Sequence, residues 1–118
     1  MMNKKKLSAL VAQGKKVDEI VAFCRQENKD KSEYNLSEPG INSFGYELMA
    51  QNRHEEALKV FSLNISLYPE AANAYDSFGE CLLKLGRKEE AIAAYKKSLA
   101  LNPRNKNAEE ALAEILRK

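Results

Sequence analysis

The 118-residue chain holds one histidine, His54, and two cysteines, Cys24 and Cys81, with no CxxC pair. Acid–base sites and metal centres need partners at set spacings, and these residues provide none. His54 reads as a solvent-facing residue in the first turn of a helix. Each cysteine sits among apolar neighbours and reads as a buried structural thiol. Glycine-rich phosphate loops are missing, as are the SxxK and GxSxG signatures of serine hydrolases. The Glu55–Glu56 and Glu89–Glu90 pairs are adjacent on a helix and point to different sides, so they do not form an acid and base couple. No catalytic residue, cofactor site or metal site is expected, and the chain reads as a non-enzyme.

A dominant charge is also lacking. Lys and Arg number 19 against 17 Asp and Glu, a net +2, which leaves no electrostatic footprint for nucleic acid. Lys4, Lys5, Lys6, Lys15 and Lys16 cluster near the start, but Asp18, Glu19 and Glu27 follow, so the lysines read as a solvated helix end. No apolar run approaches the length of a membrane span. The stretch from Leu7 to Ala12 is short, contains Ser8 and passes into Gln13 and further lysines without a cleavage site. Neither export nor a membrane contact is expected, which makes the cytoplasm the expected location.

The length and the 44% apolar content suffice for one domain with a real core and no staple. Within that domain the chain repeats itself. Shifted back by 34 residues, Phe78 falls on Phe44, Gly79 on Gly45, Leu82 on Leu48, Ala91 on Ala57, Tyr95 on Phe61 and Pro103 on Pro69. A period of this size marks stacked supersecondary units. Each copy reads as two helices, at 39–51 and 54–67, then at 73–84 and 88–101. Phe44, Leu48 and Met49 recur as Phe78, Leu82 and Leu83, one face at helical spacing. Gly86, with Asn52 as its counterpart, supplies the positive φ that ends a first helix. Glu pairs open each second helix and a proline follows each end. Gly45 and Gly79 lie inside helices, where glycine costs about 1 kcal/mol relative to alanine. Close approach of a neighbouring helix backbone, with Ala57 and Ala91 facing it, is the expected compensation.

The flanks read as ends of the stack. Residues 3–13 and 16–28 suggest a degenerate copy, with Gly14 in the place of Gly86, and a linker over 28–40 that is four residues longer than a strict period. Ser37 is the expected cap of the next helix, with Pro39 in its first turn. After Pro103, Asn105 is the expected cap of a last helix whose apolar face is Ala108, Leu112, Ile115 and Leu116.

Ile41, Phe44-Gly45, Leu48, Ala57, Phe61 and Pro69, repeated as Tyr75, Phe78-Gly79, Leu82, Ala91, Tyr95 and Pro103, resemble the tetratricopeptide repeat, with Leu48 and Leu82 where that family usually has tyrosine. The resemblance implies an all-α fold: a right-handed superhelical stack of antiparallel helix hairpins, about seven helices including a C-terminal capping helix. The units are then 1–37, a degenerate hairpin and linker; 38–71 and 72–105, two repeats; and 106–118, the cap. The string from Asn42 to Gly86 also resembles the repeat tail of some bacterial serine hydrolases of the penicillin-binding and esterase types. That second resemblance implies an alternative role, as a structural or dimerising accessory domain.

The family resemblance implies a protein-interaction module binding a peptide or partner protein on a concave face lined by the first helix of each pair. Carried over position by position, that face is Asn42, Tyr46, Met49, Asn73, Asp76, Glu80, Leu83, Asn107, Glu110 and Glu114. Asp76, Glu80, Glu110 and Glu114 would make an acidic stripe suited to basic or amide side chains, or simply a solvated face. The family's carboxylate-clamp positions hold Asn42, Tyr46, Ser77, Asn107 and Ala111, without the basic residues that grip a chaperone tail. Apolar surface at the N-terminal end is a route to a homodimer.

Overall fold

The computed structural model describes residues 3–117. Met1, Met2 and Lys118, which belong to the first and last expected units, lie outside the described residues. Within that range the fold is all-helical, with seven helices: α1 (Ser8–Ala12), α2 (Val17–Gln26), α3 (Glu38–Ala50), α4 (His54–Leu67), α5 (Ala72–Lys84), α6 (Lys88–Leu101) and α7 (Lys106–Arg117). Helix α3 pairs with α4 and α5 with α6; α4 packs on α5, α6 on α7 and α2 on α4. The result is an elongated stack of 44 × 27 × 21 Å.

The period is visible atom by atom. The Arg53 N–H donates to the Leu48 carbonyl at 2.9 Å, and 34 residues later the Arg87 N–H donates to Leu82 at the same distance. Asn52 (φ 62°) and Gly86 (φ 78°) supply the left-handed residue each turn needs. The same closure occurs at Lys15 N–H to Leu10 carbonyl, 3.0 Å, around Gly14 at φ 89°. That turn precedes the next by 38 residues rather than 34, so the first hairpin is out of register by four.

Capping explains where the helices start. Ser37 Oγ accepts from the Gly40 N–H at 3.1 Å, with Pro39 in the first turn where it removes no helical bond. Helices α4 and α6 lack such a cap. Arg53 instead grips Glu56 through two bonds of 2.7 and 2.9 Å, and Arg87 reaches back to Glu55 of the preceding hairpin at 3.3 Å. A buried polar residue anchors the start of each first helix. Asn64 Nδ2 donates to the Glu38 carbonyl at 3.1 Å, and its counterpart Ser98 donates to the Ala72 carbonyl at 2.7 Å.

Gly45 and Gly79 meet rings, not backbone. A Cβ on Gly45 would lie 2.6 Å from Phe61 Cζ, and one on Gly79 would lie 3.2 Å from the Tyr95 ring. The aromatic of the second helix lies over the bare backbone of the first, which corrects the expected helix–helix backbone contact. Ala57 and Ala91 are fully buried in the same core. That core forms two clusters, the larger towards the N-terminus, joined by Leu58 and Phe78, which pack against both.

The N-terminal part departs from expectation. Helix α1 covers only Ser8–Ala12, because the lysines before it run extended. Lys5 bridges Tyr34 in parallel, donating to the Glu33 carbonyl and accepting from the Asn35 N–H, both at 2.8 Å. The expected linker is part of the core. Tyr34 and Leu36 are buried, Tyr34 stands edge-on to Phe23 at 5.8 Å, and Tyr68 donates to the Leu36 carbonyl. On α7, Ala108 and Ile115 are buried as expected, but Leu116 is 62% exposed, since α6 covers only one side of the helix.

The glycine geometry separates two substitutions in urea denaturation. Gly45→Ala is expected to lose about 1–2 kcal/mol, the overpacking against Phe61 exceeding the gain in helix propensity. Gly79→Ala, where the contact is looser, is expected to stay within about 0.5 kcal/mol of the parent. Equal stability of the two variants would contradict the ring-over-glycine packing.

Candidate functional site

Helices α3, α5 and α7 follow one another along one side of the stack. Positions 34 apart on α3 and α5 are brought into contact. Tyr46 Oη donates to Glu80 Oε1 at 2.7 Å, and the Tyr46 ring stands edge-on to Phe61 with centroids 5.2 Å apart. Its neighbour Gly45 is what lets Phe61 come that close. Burial above all pushes the Tyr46 phenol well above its ordinary value, a hydrogen bond with Ser77 opposing the rise and the Glu80 carboxylate adding to it. Nearer the helix starts, Asn73 Nδ2 lies 3.5 Å from Glu38 Oε2.

The other expected residues divide by environment. Asn42 and Met49 are half-buried on α3, the Asn42 Oδ1 being enclosed with no hydrogen-bond partner among the described residues. Asn107, Glu110 and Glu114 are exposed on α7, with Glu114 3.4 Å from Arg117. Leu83 is 39% exposed; it sits one residue round the helix from the buried Leu82. Asp76 does not join a surface stripe. It is only 7% exposed, and Asn105 Nδ2 donates to its Oδ2 at 3.1 Å and to Ser98 Oγ at 3.0 Å, while Asn105 Oδ1 accepts from the Ala108 N–H at 3.3 Å. Asp76 therefore holds the cap of α7 onto α5.

The largest addition to the sequence reading lies between α5 and α7. Leu83 and Glu114 line a cavity of about 330 Å³ with Lys88, Ala111 and Ile115. Lys88 opens a second helix and Ile115 falls on the expected buried face of α7, so neither carries a binding signal in the repeat pattern, whereas Ala111 stands at one of the clamp positions.

Neither His54 nor the cysteines build a chemical centre. His54 is half-buried and its backbone carbonyl accepts from Cys81 Sγ at 3.4 Å. Among the described residues no group of three or more His, Cys, Asp or Glu side chains is placed to hold a metal. Both thiols are free and buried, and desolvation pushes each up to about 11. Burial pushes the Tyr95 phenol up to about 12. No helix of the described residues is long and apolar enough to cross a membrane.

Residues 48–104, just under half of the chain, match the sequence profile described as tetratricopeptide repeat. The chain is similar in structure to a solved domain described as "First TPR of Spaghetti (RPAP3) bound to HSP90 peptide SRMEEVD". The TM-score is 0.66 at 22% identity, over 94% of this chain and 85% of that one. At this identity the likeness is one of fold. No curated protein sequence matches the chain.

Two measurements check the environment of these groups. Both thiols are expected to resist a thiol reagent at neutral pH until denaturant unfolds the chain; fast reaction of the native protein would contradict their burial. Folded-state pKa values raised above the unfolded ones make the stabilisation from Cys24, Cys81, Tyr46 and Tyr95 whole below about pH 9 and progressively lost towards pH 12. The urea midpoint is therefore expected to fall over that window, and less steeply in Tyr95→Phe. An identical slope in that variant would show that Tyr95 is not the titrating group.

Proposed function

We propose that the chain is a non-catalytic protein-interaction module that receives a peptide or partner protein along the side formed by α3, α5 and α7, the concave face of a short stack. The observation behind this reading is the contact of equivalent positions on successive first helices, Tyr46 with Glu80, continued by Leu83 beside Glu114. With them we group Asn42, Met49, Asn73, Asn107 and Glu110, amide, apolar and acidic residues of the same three helices. Asp76 serves this group from below, by fixing α7 to α5. The architecture we assign has a hairpin and strap at 1–37, repeats at 38–71 and 72–105, and a closing helix at 106–118. The likeness to a peptide-bound domain of the same fold supports the reading.

Stacked helical pairs suit this task because each added pair extends a rigid surface at little entropic cost on binding. The half-buried Tyr46 and its bond to Glu80 pre-set two side chains of that surface before any partner arrives.

The face does not suit an acidic chain terminus. Asn42, Tyr46, Ser77, Asn107 and Ala111 present no lysine or arginine, and Ser77 is buried. Labelled peptide SRMEEVD, the ligand of the similar structure, is expected to show no saturable anisotropy change below the millimolar range; micromolar binding would overturn the exclusion.

The module itself is tested by backbone amide shifts in the presence of peptides selected from a random-sequence library. Perturbations are expected on α3, α5 and α7. Failure to select any peptide, or perturbations confined to α2, α4 and α6, would refute the assignment.

A further inference from the structure

The net charge of +2 conceals a separation that appears only once the helices are placed. Helices α3 and α5 carry two acidic residues each and α7 three, against Lys84, Lys106 and Arg117, a net −4. Helices α2, α4 and α6 carry six acidic and five basic residues, a net −1. The remaining positions hold eleven basic and four acidic residues, a net +7. The three helices that form the proposed binding face are therefore the most acidic part of a slightly positive molecule, and their field favours cationic partners over anionic ones.

An apolar receptor sits within that negative field. The cavity of about 330 Å³ between the end of α5 and the second half of α7 has Leu83, Ala111 and Ile115 as its apolar wall. It is large enough for one leucine, methionine or phenylalanine side chain. Leu83 stays 39% exposed although its helix neighbour Leu82 is buried. Lys88, at the start of α6, is the cation on its wall and Glu114 the anion, so the chemistry beyond the apolar wall is set by the residues one turn away: Glu80 on α5 and Glu110 on α7.

Resting on the reading of the α3–α5–α7 side as the binding face, we infer that its occupant is a basic peptide segment bearing one large apolar side chain. The apolar side chain fills the Leu83–Ala111–Ile115 cavity. Lysines or arginines flanking it lie along Glu80 and Glu110. Glu80 accepts from Tyr46, and that bond holds its carboxylate in place for the partner. The two requirements act differently. Charge sets the approach and sign of the partner, whereas the cavity sets its register and residence.

Three synthetic probes separate the terms: a lysine-rich peptide with a single leucine, the same peptide with glutamine for leucine, and a glutamate-rich peptide with the leucine kept. Fluorescence anisotropy on the full chain is expected to show binding of the first, about tenfold weaker binding of the second and none of the third. Leu83→Ser is expected to weaken the leucine peptide about tenfold without changing the glutamine peptide. Glu110→Lys is expected to weaken both lysine peptides about threefold and to flatten their salt dependence. Leu83 and Glu110 are exposed, so both variants are expected to keep the parental circular dichroism and melting temperature.

Equal binding of the leucine and glutamine peptides, indifference to Leu83→Ser, or failure of all three probes would overturn this inference. The broader reading would then still stand wherever library-selected peptides perturb α3, α5 and α7, and would fall with it only if none does. A parent chain that sediments as a dimer while Leu83→Ser is monomeric would place a second copy in the cavity and also overturn the inference.

Discussion

The stack depends on an aromatic ring lying over a helix backbone that has no side chain beneath it. Phe61 covers Gly45, and Tyr95 covers Gly79. Each glycine costs helix propensity, and the ring contact offsets that cost by letting the two helices of a pair close tightly. The position of the ring then decides its surroundings. Tyr46, beside Gly45, turns edge-on to Phe61, and from there its hydroxyl reaches Glu80 on the next first helix. One packing choice in the hairpin core thereby sets a contact between repeats. The second pair repeats the ring and the glycine with a looser fit, which fits a stack whose units share a plan without sharing every contact.

The same plan explains the ends. Along the stack, each first helix is steadied at its start by a buried polar residue of its own pair, Asn64 for α3 and Ser98 for α5. Helix α7 has no second helix of its own among the described residues. Asn105 takes over part of that task, capping α7 while bonding Asp76 and Ser98 below it. At the other end the chain uses a different device. An extended strap, Lys5 against Tyr34, ties the segment before α1 to the segment before α3, and Tyr34 and Leu36 are buried in the core there.

Charge and shape converge on one side of the molecule. The first helices are acidic, the turns and the N-terminal segment are basic, and the α5–α7 cavity, with the exposed Leu83 on its wall, lies between two of the acidic helices. A total of +2 gives no hint of this, because the sum removes the spatial term on which steering depends. On that side Tyr46, Glu80 and Asp76 are held by hydrogen bonds, and in the core the buried thiols are kept in their neutral form by desolvation.

The repeated helices and their turns were legible in the residues because they follow a local rule. A helix turn needs a residue tolerant of positive φ after it, and a buried face needs apolar groups at fixed spacing. Asn52, Gly86 and the pairs Phe44 with Phe78 and Leu48 with Leu82 obey those rules within a few residues of chain. The strap at Lys5, the burial of Tyr34 and Leu36, the capture of Asp76 by Asn105 and the cavity at Leu83 follow no such rule. Each is a contact between residues far apart in sequence, decided by which surfaces are left uncovered once the helices have packed. Local conformational preference determined what the elements are; competition for the remaining apolar and polar surface, which exists only in the packed chain, decided what they leave available.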